Sequence, residues 1–368
     1  MRGGIGDQVE TFTSGAPTGV DVGAIERELA ALWRQSALSE EKAVARACLW
    51  NLVVMADGEA AYEGAQRLAQ AIAPACPARF LFLDLEAPVE GRPELEAWIS
   101  ANCHLAPGGG KLLCSEEITL SARGRGADHL PSLVSALLVP DVPTALLWPG
   151  GHPSRARAWP RLLEDAERMV VDTSRLAATS ELAGLASFAT VAAKAQVELA
   201  DLGWLRLAPF RVLLASLFDP PVGAEPLARA GRVRVTCARH AAATALLLLG
   251  WLASRLAWGP ARRVDGGGWI VPRSHDGGEV RLEVAVRDDD AGDDGIFALE
   301  LEGAGERYSL TDAGPHVVEA RAPGLPTRVL AAPARSDAEL VVAALGARGR
   351  DPLFAAALAR AAELETLP

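Results

Sequence analysis

The sequence predicts an α/β domain with a mostly parallel sheet, followed by an α+β domain built around an antiparallel meander. Two observations support this prediction. In the first half, short and nearly all-apolar segments alternate with helical patterns, as in a parallel sheet covered by helices. In the second half, four short segments of alternating character are separated by Gly/Asp turns. The 368 residues are enough for about two domains.

The elements of the first half follow from the spacing of apolar residues. Asp21 is suited to cap a helix whose apolar side chains recur on one face. Cys48–Met55 and Phe80–Leu85 are nearly all apolar, which predicts strands covered on both faces. Further along the chain we predict helices over 59–72, 130–139 and 157–167, and strands over 99–105, 112–122, 144–148 and 169–172. The strands over 99–105 and 112–122 flank Pro107–Gly110, which predicts an antiparallel hairpin.

The second half begins with helical patterns and continues into the meander. Pro209 suits the first turn of a helix that ends near Phe218. Ser336–Glu339 is a capping box that opens a later helix. The other predicted elements are helices over 181–199, 241–258 and 351–364, and strands over 233–237, 269–271, 280–286, 296–301, 307–310 and 316–319.

These elements predict four regions along the chain. Residues 1–20 are polar and Gly-rich, so we expect a flexible N-terminal tail without a signal peptide. The α/β domain then covers 21–178 and the α+β domain covers 179–330. Residues 331–368 are predicted as C-terminal helices that pack on the second domain.

Composition excludes several classes of protein. The formal net charge of −11 argues against a general nucleic-acid binder and against a polybasic membrane anchor. The longest apolar run, Ala241–Ala253, is shorter than the roughly 20 residues of a membrane span. Five scattered cysteines without a CxxC pair favour a reducing, cytoplasmic location. Cys103 and Cys114 flank the hairpin, and we expect two reduced core thiols rather than a linked pair.

Motifs for catalysis or metal binding are missing from the sequence. It contains neither HExxH nor GxSxG. Gly108–Lys111 lacks the first glycine and the hydroxyl residue of a phosphate-binding Walker loop, so it is interpreted as a turn. The aspartates of 288–294 do not follow the ligand order of an EF-hand. We therefore expect no metal and no cofactor.

Two basic places are candidates for binding an anion. One is a Gly-containing turn between a strand and a helix, where free helix amides and arginines could hold a phosphate. The other is a basic loop beyond the strand ending at Trp148, on the side of an α/β sheet where ligands bind. The candidates are Arg123, Gly124, Arg125, Gly126, Arg155 and Arg157. The alternative interpretation is a glycine-permitted turn and a solvated helix start.

An ordered series of segments resembles a known family. The segments are Arg46–Val54, Ser115–Leu120, Trp148–Gly150, Arg168–Arg175, Asp201–Arg211 and Trp251–Trp258. Their order over about residues 25–320 resembles the glucose-6-phosphate dehydrogenase assembly protein family, OpcA. Gly203 and Phe210 depart from the Asn and Trp that are more frequent in that family. The resemblance implies a non-catalytic protein that binds glucose-6-phosphate dehydrogenase, promotes its active oligomer and activates it allosterically in the oxidative pentose phosphate pathway.

The resemblance also suggests residues for partner binding. They are Asp201, Trp204, Arg206, Phe210 and Arg211. Alternatively, Asp201 and Arg206 pair with each other and hold the turn before the Pro209 helix. A second hypothesis for the whole chain is a sugar-phosphate or nucleotide-binding enzyme that uses the N-terminal domain and the two basic places.

Overall fold

A computed structural model describes most of the chain. The described residues are 10–13, 20–39, 43–56, 59–86, 95–105, 111–150, 159–176, 181–265, 267–288, 295–314, 317–332 and 334–367. They fall into two compact units. The first unit comprises Met1–Val171, Ala192–Leu199 and Asp337–Arg348, and the second comprises Asp172–Val191, Ala200–Ser336 and Gly349–Pro368. The units therefore alternate along the chain, which differs from a single boundary near residue 178.

Among the described residues, the first sheet has nine strands, and most of them are parallel. They are β1 (Glu10–Thr13), β2 (Ala43–Arg46), β3 (Trp50–Ala56), β4 (Ala78–Glu86), β5 (Leu95–Leu105), β6 (Lys111–Arg123), β7 (Thr144–Trp148), β8 (Arg168–Val171) and β9 (Glu198–Asp201). Their order is β1-β5-β6-β4-β3-β7-β8-β9, and β2 also pairs with β6. Only the β1–β5 and β5–β6 pairs are antiparallel among the pairs whose direction is described. The predicted α/β fold with an antiparallel pair is confirmed.

The central strands of this sheet are apolar because both faces are covered. Every residue of β7, and all of β3 except Trp50, are buried. The helices of the first unit are α1 (Val22–Ser39), α2 (Glu59–Ile72), α3 (Leu130–Leu137), α4 (Trp159–Leu162) and α10 (Asp337–Gly346). Helix α10 contacts α2 and β8. The sequence instead assigned 331–368 as a whole to the second domain.

A buried arginine attaches helix α1 to this sheet. Arg79 of β4 is 3% exposed and donates to Glu26 of α1 and to Glu116 of β6, each at 2.7 Å. Glu116 also accepts from the indole N–H of Trp33, at 2.6 Å. The guanidinium also donates to the Leu137 carbonyl oxygen at 2.7 Å. Because its other two partners are carboxylates, the buried positive charge is compensated.

Two features of strands β1 and β5 differ from the sequence expectations. Residues 10–13, within the predicted flexible tail, form β1 and pair with β5. The register of β5 and β6 places Cys103 opposite Cys114, with their Cα atoms 4.0 Å apart, and the two form a disulfide. The expectation of two reduced thiols is therefore wrong for this structure. The predicted turn at Pro107–Gly110 lies outside the described residues.

The predicted helix over 181–199 is shorter in the structure. Helix α5 (Leu182–Lys194) ends before Gln196, which has a positive φ of 63°. Strand β9 follows and occupies the edge of the first sheet. The Ala-rich pattern predicted the helix correctly. It did not indicate strand β9, because four residues are too few to show the alternation of apolar and polar side chains that is typical of a strand.

In the part of the chain that the structure describes, the second sheet has eight strands. They are β10 (Ala230–Ala238), β11 (Arg262–Arg263), β12 (Trp269–Pro272), β13 (Glu279–Arg287), β14 (Ile296–Gly303), β15 (Glu306–Asp312), β16 (Val317–Arg321) and β17 (Arg328–Ala331). Their order is β11-β12-β13-β10-β14-β15-β16-β17. Strand β10 separates β13 from β14 and is parallel to β13, whereas the other pairs are antiparallel. The α+β prediction is confirmed, with one parallel pair inside the predicted meander.

The helices of the second unit include α6 (Leu202–Arg206), α7 (Ala208–Leu217), α8 (Glu225–Ala228), α9 (Ala242–Arg255) and α11 (Pro352–Thr366), besides α5. Helices α7, α8 and α9 contact the second sheet. Helix α9 packs on α11 at Gly250, where a Cβ atom would lie 2.4 Å from the Ala357 carbonyl oxygen. Only glycine permits this close approach. Among the described residues, no helix is long and apolar enough to cross a membrane.

Candidate functional site

The partner-binding candidates of the sequence lie where strands β8 and β9 end. Asp172 follows β8 and caps a short 3-10 turn over Thr173–Arg175. Asp201 is the last residue of β9 and caps α6. Asp residues suit such positions because their carboxylates accept from free backbone N–H groups at the start of a helix. Ligands of open α/β sheets bind outside the carboxyl ends of the strands, so this place is a candidate site by position as well.

Asp201 is completely enclosed by donors. Its carboxylate accepts from the backbone N–H and the hydroxyl of Thr173, each at 2.8 Å, and from the backbone N–H of Trp204 at 2.7 Å. Burial, reinforced by the nearby carboxylate of Asp172, raises the pKa of Asp201 to about 7. The side chain therefore changes charge near neutral pH inside a closed environment.

Arg206 pairs with Asp172 rather than with Asp201. Its guanidinium donates to Asp172 at 2.7 Å and to the Ser174 hydroxyl at 2.9 Å. Asp172 also accepts from the Ser174 hydroxyl at 2.7 Å. Both side chains are buried, with 9% of Arg206 and 2% of Asp172 exposed. The predicted Asp201–Arg206 pair is wrong, although the two residues do hold the same turn.

We call Asp172, Thr173, Ser174, Asp201 and Arg206 the strand-end cluster. The cluster connects the 3-10 turn to α6 by hydrogen bonds, because Thr173 of the turn donates to Asp201 and Arg206 of α6 donates to Asp172. Gly203 is part of this geometry, since a Cβ atom there would lie 2.2 Å from the Thr173 hydroxyl oxygen. Both carboxylates are fully engaged, so the cluster provides no open base or nucleophile.

The remaining partner-binding candidates belong to an adjoining aromatic contact. The guanidinium of Arg211 lies 3.5 Å from the ring centroid of Trp204, and the Trp204 indole donates to Asp351 at 2.7 Å. Burial lowers the pKa of Arg211 to about 10, and Asp351 opposes this shift. Trp204 and Phe210 are 3% and 1% exposed and belong to the core. The partner-binding role of these residues stays a prediction.

Two members of these networks were not predicted from the sequence. Thr173 holds Asp201, and Asp351 caps α11 while it accepts from Trp204. Asp351 carried a local signal, because Asp followed by Pro352 is typical of a helix start. The contact of Thr173 with Asp201 had no such signal.

The proposed anion sites are only partly described. Arg123 is buried and pairs with Glu96 at 2.8 Å. Gly124 has a φ of 54° and starts a six-residue 3-10 turn that contains the exposed Arg125 and the buried Gly126. Arg155 and Arg157 lie outside the described residues. Anion binding at these places stays a prediction.

Potential metal ligands are dispersed over the structure. In the described ranges, no group of three or more His, Cys, Asp or Glu side chains could hold a metal ion.

Comparisons with known proteins identify the family. Residues 69–189 match the model of the glucose-6-phosphate dehydrogenase subunit N-terminal domain, and residues 197–358 match that of its C-terminal domain. The chain belongs to the OpcA family. It is 32% identical over 230 residues to the "Putative OxPP cycle protein OpcA" of Nostoc punctiforme, covering 60% of this chain and 48% of that protein.

A second relative gives the same result. The protein of the same name from Synechocystis sp. is 30% identical over 194 residues, covering 52% of this chain and 40% of the relative. The chain thus matches less than half the length of these curated relatives.

Solved structures resemble the chain only distantly. An NAD binding oxidoreductase from Klebsiella pneumoniae has a TM-score of 0.45 and 11% identity, and the match covers 85% of this chain and 94% of that one. A levoglucosan dehydrogenase in complex with NADH and L-sorbose has a TM-score of 0.45, 11% identity, and covers 86% and 96%.

Proposed function

We propose that this chain is a non-catalytic assembly factor and allosteric activator that binds glucose-6-phosphate dehydrogenase and promotes its active oligomer. The observation that carries the proposal is the match of both halves of the chain to models named for a subunit of that enzyme. The strand-end cluster supports the non-catalytic part, because its carboxylates hold the chain's own turns.

Activation requires that the chain binds the active state of the dehydrogenase better than the inactive state. A difference of about 1–3 kcal/mol in binding free energy would shift that equilibrium by about 5–150-fold. In this proposal, Arg211 remains the contact candidate because it is partly exposed, whereas Arg206 is buried and would support the contact through the turn that it holds. Asp201, Trp204 and Phe210 are buried and would support the contact from the interior.

The test uses the purified chain and the dehydrogenase of the same organism. Sedimentation velocity measures complex formation and oligomer size, and initial rates are measured against glucose 6-phosphate concentration. We expect co-sedimentation, a larger share of the dehydrogenase in its oligomer, and a lower substrate requirement. Arg211→Ala should weaken the complex more than Arg348→Ala, which alters an exposed arginine outside both networks. Lack of a complex across all concentrations would contradict the proposal.

The enzyme hypothesis from the sequence has a separate test. Thermal unfolding of the chain alone is followed with NADP or glucose 6-phosphate added. A ligand site would raise the melting temperature according to RT ln(1 + [L]/Kd), whereas the proposed activator without such a site shows no shift.

A further inference from the structure

The second sheet has one covered face and one face that remains accessible. Helices α7, α8 and α9 contact the sheet, and alternate residues such as Val233, Val235 and Leu301 are fully buried. The side chains between them point to the opposite face, since successive residues of a strand alternate. We call this opposite side the open face. Its acidic side chains Glu300 and Glu302 are 39% and 41% exposed.

At the centre of the open face, charges form two neighbouring columns, flanked by Arg281 of β13 and Arg307 of β15. Strand β10 contributes Arg232 and Arg234, and the adjacent β14 contributes Glu302 and Glu300. The register pairs Arg232 with Glu302 and Arg234 with Glu300. A positive column therefore lies directly beside a negative column of equal length.

These columns retain capacity for further ionic contacts. Arg232 already has Glu283 at 2.7 Å, and it lies 3.7 Å from Glu302. In contrast, Arg234 has no ion-pair partner within 4.0 Å among the described residues. Glu300 has only Arg307, at 4.0 Å, in the same part of the chain. The Arg234–Glu300 position is thus the least satisfied pair of the two columns.

We propose that the open face binds the same face of a second copy of this chain. The two-fold axis would run parallel to the strands, between β10 and β14. Two sheets placed face to face about this axis exchange the columns, so that β10 of each copy lies over β14 of the other. Arg232 then faces Glu302 of the second copy, and Arg234 faces Glu300. Because each contact occurs twice, one axis produces four Arg–Glu contacts.

The next position along the columns permits close approach. Thr236 of β10 is paired in register with Ala298 of β14. Both side chains are small, so the two sheets can come together there without displacing large groups. The charged end of the open face therefore provides specificity, and the neutral end allows the small side chains of the two sheets to pack closely.

The size of the open face is sufficient for a weak dimer. Six neighbouring strands, β12 to β16 with β10 among them, span about 24 Å at a spacing of about 4.8 Å. About seven residues along each strand add about 23 Å. The flat footprint is about 550 Å² per copy, or about 1,100 Å² in total, which exceeds the minimum of about 1,000 Å² for a biological interface but is below the range of about 1,200–2,000 Å² for stable ones. We therefore expect a weak dimer.

Charge complementarity selects a second copy over a nucleic acid. A phosphate backbone would require an excess of positive charge, whereas these two columns balance each other. Each chain has a formal net charge of −11, so two copies repel one another at long range. The same axis places Arg281 over Arg307 of the second copy, which adds a like-charge contact on each side. Glu283 lies 2.6 Å from Arg281 and Glu302 lies 3.0 Å from Arg307, so each of these charges is already paired within its own chain. The four central Arg–Glu contacts offset the remaining repulsion at the open face.

The test is a charge reversal that distinguishes contacts between copies from contacts within one copy. Sedimentation velocity of the full chain should show a dimer. Arg234→Glu or Glu300→Arg alone should each weaken dimerisation by at least about tenfold, because like charges then face each other across the axis. Mixing the two single variants should restore a dimer, since the carboxylate introduced at position 234 of one chain then faces the guanidinium introduced at position 300 of the other.

Controls establish that the variants fold and that the effect is local. Arg348→Glu reverses an exposed charge outside the sheet and should leave the dimer unchanged. The melting temperatures of both single variants should stay close to that of the unchanged chain. A monomer at every concentration, or no heterodimer in the mixture, would overturn the proposal. A monomeric chain whose dehydrogenase complex is lost in Arg234→Glu would also overturn it, assigning the open face to that enzyme.

Discussion

Two regions of the second unit use the same chemical groups in opposite environments. In the strand-end cluster, Arg206 and Asp172 are almost completely buried and satisfy each other. On the open face, Arg307 pairs with Glu302 at 3.0 Å while 65% of its side chain remains exposed. Buried ion pairs are costly to break because one charge is left without a partner, whereas exposed pairs exchange readily with water. The cluster therefore holds the fold, and the open face can exchange its partners.

The strongest test of this comparison removes the buried cation. Arg206→Ala leaves Asp172 buried beside the carboxylate of Asp201. We expect a loss of about 3–5 kcal/mol in the free energy of unfolding, measured by urea denaturation. If the free energy of unfolding falls by less than about 1 kcal/mol, water replaces the guanidinium beside Asp172. The buried Arg206–Asp172 pair would then contribute no more to stability than an exposed ion pair.

A second test follows the charge of Asp201 with pH. Its pKa of about 7 is above the ordinary value of 3.8, so the folded chain binds a proton that the unfolded chain releases. Its stabilising contribution is complete below about pH 4 and is lost as the pH rises to about 7.

Asp201→Asn removes this titration. The free energy of unfolding of the unchanged chain, relative to the variant, should fall by up to about 1.4 kcal/mol per pH unit between about pH 4 and 7. Parallel pH profiles for the two chains, from urea denaturation, would mean that Asp201 titrates normally.

A third test concerns the close approach inside the cluster. Gly203→Ala places a Cβ atom 2.2 Å from the Thr173 hydroxyl oxygen, and we expect a loss of about 1–3 kcal/mol in thermal or urea unfolding. Gly64→Ala in α2 is the matched control, because no atom lies within 4 Å of its Cβ. That control should stabilise the chain by about 0.5–1 kcal/mol. Equal effects of both substitutions would contradict the close contact.

The smallest effect is expected on the open face. Arg307→Ala removes an exposed partner of Glu302, and the free energy of unfolding should change by no more than about 0.5 kcal/mol. The measurement is made at low protein concentration, so that dimerisation does not contribute. A loss above about 1 kcal/mol would place Arg307 with the buried pairs.

Local patterns predicted most of the elements for a clear physical reason. The apolar run of β3 and the Pro at the start of α7 each report a local requirement, burial on both faces or a fixed φ angle. They failed at β9, which is only four residues long, and at β1, which is stabilised by pairing with the distant β5.

The candidate site was predicted less completely than the fold. The segment Asp201–Arg211 was correctly singled out, but the partner of Arg206 is Asp172, 34 residues earlier in the chain. The strand order of the second sheet was not predicted for the same reason, because β10 lies between β13 and β14, which come later in the chain. Hydrophobic period indicates which face of a strand is buried, but it does not indicate the neighbouring strand.

The sequence by itself determined the two fold classes, the type of most elements and the family resemblance. The tertiary structure alone decided the Cys103–Cys114 bond, the alternation of the two units and the pairing within the strand-end cluster. The physical reason is the distance along the chain over which each effect acts. Propensity, capping and periodicity act over a few residues, whereas pairing between charges or cysteines depends on which distant segments packing brings into contact.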